Sequence, residues 1–404
     1  MARMPKRERG NLGKSRLPFI EGLRGIAALY VVLEHFCSMA DPRPFSGQTS
    51  HASIWVQSFT AWFMHGHLAV AVFIVISGFC MQMSLFPGRD GKIRSFRTFF
   101  ARRARRILPP YYACLLLSAL VAIVFTSRQH GMPFEQYVPV TWENFGAHVA
   151  LIQNWSPDWM YKINGVLWSI SIEAQLYLVF PILVALLFFL RPSGLVAFAT
   201  AVSVALLLAM DHGQKLHIWY LGLFALGMAA AFKAYRPNRR KGVRPGQAVL
   251  VFLGSALAVG AGVVLIPASW AWKTPVTDAA AGAAVASLMY AGAVNPNLWI
   301  TWPFGFKPVA LLGTISYSLY LMHHPVQQLL YAFRPAQVVS EEDLLRYFLT
   351  VGTPVILVAC ALFWYVFERP FLNSLAKDSN SAGQRAKVEE RYKPERSMAY
   401  MLGE

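Results

Sequence analysis

Acidic side chains are scarce in this 404-residue chain: 20 Asp and Glu stand against 37 Lys and Arg, and charged residues of both signs make up only 14%. A soluble domain carries about a quarter. With 56% hydrophobic residues and a mean hydropathy of +0.41, an ordinary soluble enzyme is excluded. Cysteine is scarce too. Cys37, Cys80, Cys114 and Cys360 fall in or beside apolar stretches without paired spacing, so they read as small packing residues. Neither a disulfide scaffold nor a metal site is expected. The chain also lacks a Walker loop, a dinucleotide glycine fingerprint, HExxH and GxSxG. ATP-driven, metalloprotease and ordinary serine-hydrolase chemistries lose their support with them.

What is present is a series of membrane-length apolar stretches, at 18–38, 68–86, 107–126, 166–189, 193–210, 216–232, 248–266, 275–293, 308–333 and 345–367. They predict an all-α polytopic integral membrane protein with about ten transmembrane helices. Arg191-Pro192-Ser193 separates the fourth stretch from the fifth, because proline cannot continue a helix there. The net charge of +17 gathers in the N-terminal segment, in the loops after the second and sixth stretches, and in the tail. That pattern marks one side as cytoplasmic and predicts both termini there, with no nucleic-acid partner. The expected organisation is a basic N-terminal segment over 1–17, a transmembrane domain over 18–370, and a polar, disordered tail over 371–404. No soluble catalytic domain is expected at either end. Ser38–Met39–Ala40 resembles a signal-peptide end, but an uncleaved first helix is the expectation. The 127–165 loop, rich in Trp, Tyr, Asn and His, would face outward and suits carbohydrate contact.

Five constellations could carry chemistry. In LPFIEGLRGIAALYVVLEHF, Arg24 and His35 are eleven residues apart, which returns them to within roughly 20° of one helix face, about 16 Å apart along the axis. Buried ionisable groups are costly and mark sites, and histidine suits proton transfer near neutral pH. Glu34 points about 100° from His35 on an ideal helix and need not share its role. In FFARRARRILPPYY, Arg102, Arg103, Arg105 and Arg106 meet the membrane. They could be a topology and lipid signal, or could grip phosphates, with Pro109-Pro110 and Tyr111-Tyr112 anchoring a turn. Glu173 in LWSISIEAQLY lies about two turns inside the fourth stretch and could partner Arg24 or hydrogen-bond His35. Ser316, Tyr320 and His323 or His324 form a polar stripe along the ninth stretch. Ser77-Gly78 in the second permits close helix approach.

Together, and in this order, the motifs resemble the membrane-bound acyltransferase 3 family. The resemblance runs from Phe19 to about Phe371 and rests on EGLRGIAALYVVLEHF, FIVISGF, RRARRILPPYY, LWSISIEAQLYLVFP, GTISYSLYLMHHPV and FERPF. Glu21 replaces a usual Asp, Ala174 replaces a second acid, and His324 replaces a common aromatic. The resemblance implies a ten-helix bundle of the stand-alone form. It implies acyl transfer, most often of acetyl from acetyl-CoA, to a hydroxyl of a glycan or other small acceptor.

By this resemblance His35 and Glu173 are the expected catalytic residues, and Arg24, Arg102, Arg103 and Arg106 the donor-binding ones. Glu21, Ser77, Trp168, Ser169, Tyr320 and His323 are expected to support them. His35 would act as general base on the acceptor hydroxyl or accept the acyl group transiently. Acyl-CoA enters as donor substrate, with no permanently bound cofactor. The expected partners are a carbohydrate acceptor and membrane lipids, and the expected location is a bacterial inner membrane. A proton-coupled transporter without acyl chemistry, or a non-catalytic membrane scaffold, would use the same intramembrane charges.

Overall fold

A computed structural model describes residues 17–46, 49–85, 96–131, 133–210, 216–235 and 244–372. Most of the basic N-terminal segment, the loop arginines Arg89, Arg94, Arg236, Arg239 and Arg240, and the tail from 373 lie outside these described residues. Among the described residues the chain is helical and contains no strand. Among the described residues six helices are long and apolar enough to cross a membrane: Pro18–Ala40, Ile54–Leu85, Phe99–Arg128, Trp168–Ala209, Pro245–Leu265 and Glu341–Leu372. Tyr220–Tyr235 is apolar but shorter, and Lys273–Val294 is less apolar. Of the ten or so spans expected, six meet this criterion of length and composition among the described residues.

Helix α1 (Pro18–Ala40) opens with proline in its first turn, where the missing N–H costs nothing, and ends before Asp41-Pro42. Asp41 is buried beneath Arg43 and Ser50, and Arg43 also reaches Glu341 at 2.8 Å. Burial alone would raise the Asp41 carboxyl, but the hydrogen bonds from Arg43 and Ser50 outweigh it and hold it below the usual carboxylate range. Helix α2 (Ile54–Phe63), which the sequence reading lacks, is capped by Ser53 and leads into α3 (Gly66–Leu85).

Helix α4 (Phe96–Val124) corrects an expectation. It runs unbroken through Pro109 and Pro110 instead of turning there. Each proline removes the hydrogen bond to the carbonyl four residues earlier and crowds that carbonyl, so the helix needs support from elsewhere. The tyrosines that follow tie the helix from outside: Tyr111 donates to the His148 carbonyl at 2.8 Å and Tyr112 to that of Val149 at 3.0 Å. The expected break at Arg191-Pro192 is present inside α5 (Trp168–Ala209), where Arg191 has φ 63° and ψ 168°.

Close backbone approach fixes the two helices that carry the first and second motifs. A Cβ on Gly78 of α3 would lie 2.2 Å from the Phe224 carbonyl oxygen, and one on Gly227 would lie 2.1 Å from that of Val75. Only glycine lets α3 lie this close to Tyr220–Tyr235. On the other side, a Cβ on Gly313 would lie 1.9 Å from the Glu21 carbonyl oxygen. The expected ninth span is therefore two helices, Lys307–Thr314 and Ser316–Ala332, broken at Ile315. Facing outward are large apolar residues such as Phe189, Leu208, Leu257 and Val264, as a lipid-facing surface requires.

Candidate active site

Two cavities follow one another along α1. The first, about 300 Å³, contains Arg24 and Glu21 from α1, Ser77 and Cys80 from α3, Arg103 and Arg106 from α4, and Glu173 and Tyr177 from α5. The second, about 310 Å³, contains Glu34 and His35 from α1, His67 from α3, Tyr137 and Tyr161 from the segment before α5, and Trp168 and His217. Eleven residues of helix separate Arg24 from His35, so one rod presents a cation to one chamber and an imidazole to the other. Val70 and Tyr320 line both and form their common wall. The Tyr320 and Ser169 hydroxyls are hydrogen-bonded at 2.6 Å, and Tyr320 also donates to the Val166 carbonyl at 3.2 Å, which fixes the wall.

The first cavity holds three guanidinium groups against the carboxylates of Glu21 and Glu173. That excess of positive charge suits an anionic ligand. Arg24 lies 3.6 Å from Glu21, one turn earlier. Arg103 lies over the rings of Phe99 and Tyr177, 5.9 and 5.8 Å from their centroids, which points the guanidinium inward. Arg102 is not among the lining residues and Arg105 is exposed, so the basic motif divides by helix face: Arg103 and Arg106, three apart, enter together. Arg102, expected to bind the donor, lies outside this lining.

Glu173 belongs to the arginine cavity. Ser77 donates to its Oε1 at 2.6 Å, the Tyr177 hydroxyl donates to the same oxygen, and the two hydroxyls lie 2.9 Å apart. These bonds satisfy a carboxylate that would otherwise be costly to bury. They also overturn the expected His35–Glu173 contact. His35 is served from the next residue: Glu34 Oε2 lies 2.7 Å from His35 Nδ1, which is also 2.9 Å from the Val31 carbonyl. The Cα directions of neighbouring helical residues do diverge by about 100°, but a glutamate has enough torsional freedom to curl back. Gly66 gives it room, since a Cβ there would lie 3.0 Å from the carboxylate. With Nδ1 occupied, Nε2 is the nitrogen left for chemistry.

The ninth-span histidines surround His35. The His323 and His324 rings are 5.1 and 5.3 Å from it, both residues are fully buried, and neither Nε2 has a hydrogen-bond partner. His323 Nδ1 is 2.9 Å from the Leu319 carbonyl. Trp168 stacks on His217, ring centroids 4.2 Å apart, to make an aromatic platform in the same chamber.

Glu368, His67 and Asp278 are among the residues in or beside the two cavities that sequence reasoning missed. Glu368, in the closing FERPF motif, is buried in a π-helical turn and accepts from Ser318 at 2.6 Å. His67 Nδ1 and Asp278 Oδ1 lie 2.7 Å apart. Among the described residues there is no cluster of three or more His, Cys, Asp or Glu that could hold a metal.

A family model described as an acyltransferase domain matches residues 17–367. The chain is 23% identical over 385 residues to a Staphylococcus aureus (strain COL) protein called "putative O-acetyltransferase", an alignment covering 88% of this chain and 57% of that one. It is 30% identical over 170 residues to acyltransferase MdmB of Streptomyces mycarofaciens, covering 41% and 39%. It is also 23% identical over 333 residues to the "putative peptidoglycan O-acetyltransferase" YrhL of Bacillus subtilis (strain 168), covering 77% and 48%. The chain thus spans about half the length of the curated relatives it matches. No solved structure matches it significantly.

Proposed function

The chain belongs to this acyltransferase family, and we propose that it moves an acyl group, acetyl by default, from acyl-CoA to a hydroxyl of a cell-surface glycan. The observation that carries this reading is the pairing of an arginine-lined cavity with a histidine-lined one along a single helix. Arg24, Arg103 and Arg106 suit the phosphates of a CoA donor entering from the cytoplasm. A cavity of about 300 Å³ is at the lower end for small-molecule sites and suits a slender arm with a thioester at its end. Glu173, with Ser77 and Tyr177, orders the wall that this arm would pass.

His35 is the reacting group. Its Nε2 attacks the thioester carbonyl carbon, the carbon–sulfur bond breaks, and CoA leaves as the thiolate. Glu34 at Nδ1 stabilises the acyl-imidazolium that results. The acceptor hydroxyl then attacks the same carbon and the bond to Nε2 breaks. The Trp168–His217 platform suits the apolar face of a sugar ring, and a relative named for peptidoglycan O-acetylation points toward a sugar hydroxyl. The membrane is the bacterial inner membrane, with the arginine cavity on its cytoplasmic side.

The test is to incubate purified protein with acetyl-CoA labelled in the acetyl group and to follow thiol release and label transfer to envelope glycans. Release and transfer together are expected. A well-folded preparation that binds acetyl-CoA yet does neither rejects the reading.

A further inference from the structure

His67 and Asp278 have no place in the reaction as written so far. His67 opens α3 and lines the same cavity as His35, with a quarter of its side chain exposed. Its Nδ1 is 2.7 Å from Asp278 Oδ1. Asp278 is completely buried in Lys273–Val294, among small residues, and its other oxygen accepts from Trp219 Nε1 at 2.9 Å. The Tyr220 hydroxyl lies 3.5 Å from the His67 carbonyl.

A carboxylate at this depth is expensive, and the two donors of His67 and Trp219 only partly offset its desolvation. With Nδ1 donating to Asp278, the ring, which lines the cavity, keeps Nε2 as the nitrogen that can act as a base. A Cβ on the neighbouring Gly66 would lie 3.0 Å from the Glu34 carboxylate, and Glu34, His35 and His67 all line one chamber. The chemistry above leaves one proton without an acceptor. When the acceptor hydroxyl attacks an acyl group on His35 Nε2, that nitrogen is still occupied by the acyl group and cannot take the proton.

We propose that His67 Nε2 is the base for the second half of the reaction, taking the acceptor's proton while Asp278 positions the ring. The oxygen–carbon bond forms, the bond from that carbon to His35 Nε2 breaks with its electron pair returning to His35, and the hydroxyl proton passes to His67. The His67 imidazolium is stabilised by Asp278 until it releases the proton to water. This assignment rests on the acyl-transfer reading of His35.

The experiment uses the full chain in detergent with acetyl-CoA alone, water serving as the acceptor, and thiol release followed from the first turnover. Wild type is expected to release a burst of thiol as His35 is acylated, then a slower steady rate as water removes the acetyl group. His67→Asn keeps an amide nitrogen near the Nδ1 position for Asp278 but has no group at Nε2. It should retain the burst and slow the steady rate by about 10²–10⁴-fold, the usual worth of general-base help. Asp278→Asn, which keeps an oxygen for Trp219, should slow the steady phase by a smaller factor and leave the burst intact. An unchanged steady rate in His67→Asn overturns the proposal. So does equal loss of burst and steady rate in protein that unfolds at the wild-type temperature. If His67→Asn does not fold, the steady phase of Asp278→Asn decides: no slowing overturns the assignment. A wild type that releases no thiol rejects the acyltransferase reading itself, whatever these variants do.

Discussion

The two cavities solve the same electrostatic problem in opposite ways. In the arginine cavity the charges are fixed: three guanidinium groups and two carboxylates, with Glu173 secured by two hydroxyls. At the histidine cavity, Glu34 in the lining and Asp278 buried behind it each pair with an imidazole, a group whose charge can change. Guanidinium groups hold an anion at any physiological pH but move no protons. Imidazoles do the reverse. Under the proposed function the difference suits one chamber to binding and the other to bond-making, and it can be broken by substitutions that should affect one without the other.

The largest effect is expected from His35→Ala, which should lower transfer by at least 10²-fold while leaving acetyl-CoA affinity near wild type. Calorimetry in detergent beside a transfer assay checks both. A loss of affinity as large as the loss of rate would merge the two chambers into one site. Next, Arg106→Ala should weaken CoA binding by about tenfold or more, as the loss of a charge-assisted contact does. Arg102→Ala, on the other face of α4, should leave binding unchanged. Equal effects would mean that the motif acts through net charge and not through the cavity.

A smaller effect, on stability, is expected where both chambers depend on the same packing. Gly78→Ala places a Cβ against the Phe224 carbonyl and should destabilise the fold by about 1–3 kcal/mol, read as a lowered unfolding midpoint. Because Ser77 is the neighbouring residue, activity should fall with it. The smallest effect lies outside both cavities. Asp41 is held below the usual carboxylate range, so its contribution to stability is complete at neutral pH and is lost as pH falls through that lowered value. Asp41→Asn should flatten the acid side of the stability profile without changing transfer at neutral pH.

Much of this was legible in the sequence because hydropathy and helical spacing are local. The apolar stretches, the Arg191-Pro192 break and the close approach at Gly78 all follow from neighbours within a few residues. The arginine–histidine spacing in α1 was legible for the same reason. What escaped was set by long-range contact or by side-chain torsion. His67 and Asp278 are 211 residues apart, and a single aspartate in an alanine-rich helix gives no hint of its partner. Glu34 meets His35 by bending back, which an ideal helical wheel does not represent. Glu173 was recognisable as costly, but its partners Ser77 and Tyr177 are hydroxyl residues whose roles only packing reveals.

Under the proposed function, Tyr320, pinned to Ser169 between the chambers, would bear on the cell's energy supply. A bacterium that acetylates its surface from internal acetyl-CoA must pass the group through a bilayer that also stores its ion gradients. A covalent hand-over across an aromatic partition needs no aqueous lumen, so the bilayer remains an electrical insulator while the chemistry crosses it. Vesicles loaded with this protein should hold a membrane potential as long as empty ones, even during turnover.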